Sequence, residues 1–122
     1  METITTPYER YARAPVNVGR MNDPTGAAWI KGLCGDTMEM YLVVEDGVIT
    51  DALFFTDGCG ATLACGSFAT EFAKGKTAAE ALGLSPKAII DGLAGLPADH
   101  RHCAILAAST LHKAIADYLL RY

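Results

Sequence analysis

The stretch MEMYLVVEDGVITDALFFT, residues 38–56, decides the fold. Met38, Met40, Leu42 and Val44 fall on one face of an extended chain, and Glu39, Tyr41 and Glu45 fall on the other. That period of two is the mark of a strand with one side buried and one in water. Asp46-Gly47 follows at once, a hairpin signal, because glycine tolerates the positive φ such a turn demands. Val48 to Thr56, rich in β-branched and aromatic residues, is then the return strand. A lone hairpin is marginal in water, so a shorter third strand is expected around Ala28 to Lys31.

Beyond Gly60 the period changes. Ala64, Phe68 and Phe72 recur every four residues, which predicts a helix ending near Lys74-Gly75 with glycine as the cap. Thr77-Ala78-Ala79-Glu80 has the spacing of a capping box and opens a short helix closed by Gly83. Ser85-Pro86 is an N-cap with proline at the first helical position, and Ile89, Ile90 and Leu93 form its buried stripe. A last helix is expected from about Arg101 to Leu120, with Ala104, Ala108, Leu111, Ile115 and Tyr118 on one face. Upstream, residues 1 to 14 read as a loose amphipathic helix stopped by Pro15, and as the segment most prone to be mobile. Tyr8 and Tyr11 share a face of it, and Pro15 to Gly26 reads as extended loop. Strands first and helices after give an α+β fold: a small three-stranded antiparallel sheet packed against C-terminal helices, one domain over residues 1–122.

The net charge of −4 argues against a nucleic-acid partner, which would call for a clustered basic surface. Met1 to Arg10 lacks the apolar centre of a signal peptide, and no apolar run approaches the roughly 18 residues that would span a bilayer. No membrane association and a cytoplasmic location are therefore expected. In that reducing compartment the four cysteines, at 34, 59, 65 and 103, are thiols, and the absence of a Cys-x-x-Cys pair speaks against a zinc ribbon or a thioredoxin-type site.

Three of these thiols sit at element ends: Cys34 in Gly32-Leu33-Cys34-Gly35-Asp36, Cys59 in Gly58-Cys59-Gly60, and Cys103 at the start of the last helix after His102. A helix N-terminus favours the thiolate, so Cys59 and Cys103 are expected to be acidified. Thiolates hold iron–sulfur clusters, and zinc accepts the same set. Asp36 is a fourth candidate ligand; as a harder donor it would hold a cluster less tenaciously, which suits a site that releases its cargo. Cys65, one turn into a helix beside Ala64 and Phe68, reads as core packing. His100 reads as a solvated loop residue, His112 as a surface residue, and Lys74 and Lys76 as an ordinary helix end.

Pro15-Val16-Asn17-Val18-Gly19, Cys34-Gly35-Asp36, Asp51-Ala52, Gly58-Cys59-Gly60, Thr70-Glu71, Lys74-Gly75-Lys76-Thr77, Leu96-Pro97 and His102-Cys103 occur in one order from residue 15 towards residue 118. Together they resemble the IscU/NifU N-terminal family of iron–sulfur assembly scaffolds. The resemblance implies a three-stranded α+β fold, a cysteine desulfurase of the IscS/NifS type as sulfur donor, and [2Fe-2S] assembly on Cys34, Cys59 and Cys103. It carries over Asp36 and His102 as alternative fourth ligands, and makes Cys103 or its neighbours the acceptor of persulfide sulfur, the nearest thing here to a catalytic residue. Apo iron–sulfur proteins would be the recipients; a homodimer that couples two clusters to [4Fe-4S] stays open. The protein would be a carrier and not a turnover enzyme.

The family's Leu-Pro-Pro-Val-Lys stretch, read by a specialised Hsp70 chaperone, is here Leu96-Pro97-Ala98-Asp99-His100, which argues against chaperone-assisted transfer. The extra segment of SufU-type zinc-containing relatives is absent before the last helices. The rival reading, a zinc-dependent sulfurtransferase, uses the same residues; a third is a regulatory or structural metal-binding module.

Overall fold

Asp46 and Gly47 take φ of 52° and 76°, the pair of left-handed residues that lets a tight hairpin follow the natural twist of its strands. The computed structural model describes residues 6–121. Around the turn, Thr37–Glu45 (β2) and Val48–Thr56 (β3) run antiparallel. Gly26–Lys31 (β1) pairs antiparallel with β2, so the sheet order is β1-β2-β3. Met40 lies opposite Phe54 and Leu42 opposite Ala52, and these four side chains and Met38 are fully buried. Val44 lies past a register shift at Val43/Val44 and is only half-buried. On the other face Arg20 bridges to Glu39 at 2.9 Å and stacks 3.9 Å from the centre of the Phe55 ring, while Trp29 is exposed.

Five helices cover the buried face: Pro7–Arg13 (α1), Gly60–Ala73 (α2), Ala78–Ala81 (α3), Pro86–Leu93 (α4) and Arg101–Arg121 (α5), the last entered through a 3-10 turn, Ala98–His100. The N-caps of α3 and α4 are those the sequence signals, whereas the C-cap of α2 is Lys74 and not the expected glycine, Gly75 following it at φ 84°. Thr77 and Glu80 close a capping box, and the Ser85 hydroxyl accepts from the N–H of Ala88. The α2 helix lies on β3, α5 lies on β1 and β2, and the two touch; α1 on α2, and α4 on α5 and α2, form an outer layer.

Four expectations need amendment. The Ala64-Phe68-Phe72 stripe is not the main buried face of α2. The buried positions are small, among them Ala61, Ala64, Cys65, Gly66, Ala69 and Ala73, with Gly66 against the Phe54 ring of the sheet, while Phe68 and Phe72 are only half-buried. A Cβ on Gly66 would stand 2.4 Å from the Phe54 ring, so only small residues let α2 lie this close. On α5 burial spreads from Cys103 to Ile115 over more than one face, because sheet and helices sandwich it. For the same reason Ala98–Arg121 is apolar and long enough, by composition alone, to cross a membrane, yet half of that window is buried inside the domain. The Pro15–Gly26 segment is not plain loop: Gly19 donates to Phe54 O and the Phe54 N–H to Asn17 O, each at 2.8 Å, which covers the outer edge of β3.

The helix expected across residues 1 to 14 runs from Pro7, capped by Thr6, to Arg13; residues 1–5 lie outside the described range. Tyr11 packs edge-on against Phe68 and donates to Glu71 at 2.8 Å, and this docks α1 on α2.

Candidate metal centre

Three chain segments meet at one end of the α2–α5 pair. The first is the β1–β2 loop, a tight turn in which Gly32 N–H donates to Asp36 O at 2.7 Å and Gly35 N–H to Gly32 O at 3.1 Å. Gly35 has φ +92°, a conformation that needs glycine. The turn leaves Cys34 exposed and Asp36 half-buried. The second segment is the β3–α2 junction, tied to the first where Thr37 N–H donates to Asp57 Oδ1 at 2.8 Å. Here Cys59 is the N-cap residue of α2, exposed and with its side chain free of capping duty. The third is the first turn of α5, which carries His102, half-buried, and Cys103, buried.

Thr62, one turn into α2, joins them. Its hydroxyl donates to Asp36 Oδ2 at 3.0 Å and lies 3.5 Å from Cys103 Sγ. Gly58 packs against both: a Cβ there would come within 2.5 Å of Thr62 Oγ1 and 2.7 Å of Asp36 Oδ2. The Cys103 thiol is pushed up by burial, pulled down by the Thr62 hydrogen bond, and raised further by the fields of Cys34, Cys59 and Asp36. Burial is the largest of these causes, so the direction is upward, opposite to the acidification expected at a helix N-terminus. The same fields show that Cys34, Asp36, Cys59 and Cys103 share one neighbourhood. Tyr8 on α1 reaches it too, its hydroxyl raised by burial first and then by Cys59, Cys65, Cys103 and Asp99.

Among the described residues, the one set of three metal donors that crowd together is His100, His102 and Cys103, whose ligand atoms lie within 4.8 Å of one another. Cys34, Asp36 and Cys59 stand outside that group. His100 is thus half-buried at the site and not merely solvated. Cys65 is fully buried, its thiol pushed far up by desolvation, which bears out core packing. His112 is half-buried with Nε2 2.8 Å from Leu84 O, a packing contact far from the site in sequence. Lys74 is more than a solvated end: it bridges Asp51 at 3.3 Å and donates to Asn17 Oδ1.

Thr62 and Tyr8 were not singled out from the sequence as site residues, and His100, which stands where the resembled family has a lysine near the site, was read there as a solvated loop residue in preference to a metal contact. Only Thr62 carried a local signal, standing three residues after Cys59 and so on the same side of the first helical turn.

Residues 8–122 match the family described as the NifU-like N terminal domain. The chain belongs to this family. Relatives of this NifU-like domain include the iron-sulfur cluster assembly scaffold protein IscU 1 of Archaeoglobus fulgidus, 46% identical over 105 residues, covering 85% of this chain and 69% of that protein. The IscU of Aquifex aeolicus is 43% identical over 110 residues, covering 88% and 70%, and that of Azotobacter vinelandii is 40% identical over 109 residues, covering 85% and 84%. Both carry the same scaffold description. Among solved structures, the N-terminal part of a NifU-like protein from Brucella abortus superposes with TM-score 0.79 at 20% identity, covering 97% of this chain and 95% of that one. A scaffold protein of the SUF system from Fervidobacterium islandicum, described as putative, gives 0.74 at 22% identity, covering 92% and 96%. At such identities the likeness speaks for the NifU-like fold.

Proposed function

We propose that this chain is a scaffold for iron–sulfur cluster assembly: it receives sulfur from a cysteine desulfurase, takes up iron, holds the nascent cluster and hands it to apo-proteins. The observation that carries this reading is the convergence of Cys34, Cys59 and Cys103 with Asp36 at one end of a NifU-like domain. In it the three thiolates hold a [2Fe-2S] cluster and Asp36 is the fourth ligand, with His102 as its alternative. Zinc fits the same donor set.

The arrangement suits delivery more than storage. Cys34 and Cys59 are exposed, so donors and recipients can reach the cluster edge. A carboxylate is the weakest of the four ligands and the first to let go. Cys103 is the sulfur acceptor in this account. Its thiolate attacks the outer sulfur of the desulfurase persulfide, a new S–S bond forms, and the desulfurase cysteine leaves as thiolate. Burial raises the Cys103 thiol above its ordinary value and the Thr62 hydroxyl opposes that, while cation binding at a thiol releases its proton. Turning two transferred sulfurs into two sulfides takes four electrons: the two ferrous ions supply one each on becoming ferric, and an external reductant such as a thiol supplies the other two.

Single changes of Cys34, Cys59 or Cys103 to Ser should each abolish stable cluster assembly in an anaerobic reconstitution read by absorption. Undiminished cluster yield in all three variants would remove the site from the account.

A further inference from the structure

The chain brings a tyrosine, a glutamate and a phenylalanine together twice, once with an arginine among them and once without. On the outer sheet face the Glu39 carboxylate accepts from the Tyr41 hydroxyl and, at 2.9 and 3.0 Å, from the Arg20 guanidinium. That guanidinium lies 3.9 Å from the centre of the Phe55 ring. Between α1 and the end of α2, the Glu71 carboxylate accepts from the Tyr11 hydroxyl at 2.8 Å, and Phe68 and Phe72 line the same cavity. Here no cation pairs with the carboxylate among the described residues.

The face of an aromatic ring attracts a cation. Lys76 Nζ, 4.7 Å from the centre of the Phe72 ring, shows one ring of this set doing so. A guanidinium suits the cavity better than an ammonium, because it is planar, stacks on rings and meets a carboxylate through a rigid fork of donors. The cavity holds about 210 Å3, below the roughly 300 Å3 at which small-molecule sites begin. It therefore takes the head of one side chain and not a cofactor. Its lining, Tyr11, Phe68, Glu71 and Phe72, offers no cation to meet the α-carboxylate of a free amino acid.

We propose that these four residues form a docking socket for an arginine side chain presented by a partner protein, the place that Arg20 fills in the other set. Phe72 lies near the far end of α2 from its N-cap, Cys59, about 20 Å away at a helical rise of about 1.5 Å per residue. A partner gripped there leaves the exposed Cys34 and Cys59 uncovered. The socket stands whether or not the chain is a scaffold.

The test is a titration of the nitrogen-15-labelled chain with N-acetyl-arginine amide, followed by NMR. Amide shifts should saturate and should centre on Tyr11, Phe68, Glu71 and Phe72. N-acetyl-citrulline amide, the same shape without the charge, should bind at least about tenfold more weakly, the scale of a hydrogen bond to a charged group. Glu71→Gln, which keeps an acceptor for Tyr11, should weaken the arginine probe by a similar factor, and Phe72→Leu should weaken it several-fold. Asp91→Asn, an exposed acid on α4 paired with Lys87, should bind as the wild type does. Free arginine should bind more weakly than the capped probe; tighter binding would make the site one for a metabolite and overturn the docking proposal. Equal affinity for the arginine and citrulline probes would overturn it as well, as would an unaltered affinity in Glu71→Gln or a loss in Asp91→Asn as large as that in Glu71→Gln.

Discussion

Thr62 is the residue through which the two halves of the site communicate, since one hydroxyl faces both the Asp36 carboxylate and the Cys103 sulfur. Burial raises the Cys103 thiol and the Thr62 hydrogen bond is what lowers it. Thr62→Val keeps the shape and removes the hydroxyl, so the Cys103 titration should move to higher pH. Ultraviolet thiolate absorbance against pH, in a chain that also carries Cys34→Ser and Cys59→Ser, would show it; an unmoved or lowered titration would count against the link. The cysteines themselves were legible because glycines at 32, 35, 58 and 60 mark turns that present side chains. Thr62, His100 and Tyr8 were not, because they meet the site only through folding: Thr62 finds Asp36 across 26 residues and Cys103 across 41. His102 and Cys103 were read as neighbours, but the third donor, His100, depends on the bend between the 3-10 turn and α5, which no periodicity announces.

At the level of elements, local chemistry was readable wherever it acts within a few residues. The Asp46-Gly47 turn, the Thr77/Glu80 box and the Ser85 cap all lie where the sequence signals them. The orientation of α2 was not, because hydrophobic size misleads when a helix lies close on a sheet. Large Phe68 and Phe72 stand aside, and glycine and alanine take the contact. Gly66→Ala tests this directly. Helix propensity alone would reward alanine by about 1 kcal/mol, whereas forcing a methyl into a packed core costs about 1–3 kcal/mol. With the Phe54 ring 2.4 Å from the new Cβ the clash should win, and the denaturation midpoint should fall; an unchanged or raised midpoint would mean that α2 has room to spare. The motif pieces around Asn17, Asp51, Thr70 and Lys74 likewise turn out to be one structural knot. Asn17, at φ 63°, donates to Thr70 Oγ1 at 3.1 Å and accepts from Lys74, which also pairs with Asp51. Scattered over 58 residues, they read singly as turn and helix-end residues.

Across the whole molecule, α5 is the spine, with Cys103 at one end and a carboxylate clasp at the other. Asp117 Oδ2 accepts from Ala27 N–H at 2.9 Å and from Arg121 at 2.7 Å, fastening α5 to the start of β1. The Ala27 N–H chiefly, with Arg121, holds the Asp117 carboxyl below its ordinary value. A depressed carboxylate adds stability that is complete above the unfolded value, about 3.9, and is lost as pH falls through the folded one. Asp117→Asn should therefore be less stable than wild type near neutrality, with the gap narrowing below about pH 4; urea midpoints at several pH values that kept the gap constant would contradict this. The α+β order was legible because, after the short α1, the three strands come first and the remaining helices follow, whereas the two-sided burial of α5 appears only once sheet and helices enclose it. The account as a whole rests on a domain that builds a cluster at one end and gives it away. The most direct measurement is anaerobic reconstitution with ferrous iron, cysteine and a cysteine desulfurase, followed by absorption and Mössbauer spectra and incubation with an apo-ferredoxin. The account predicts a [2Fe-2S] spectrum that passes from this chain to the ferredoxin. Tightly held zinc, sulfur arriving as persulfide and no iron taken up would contradict it and point to a sulfurtransferase.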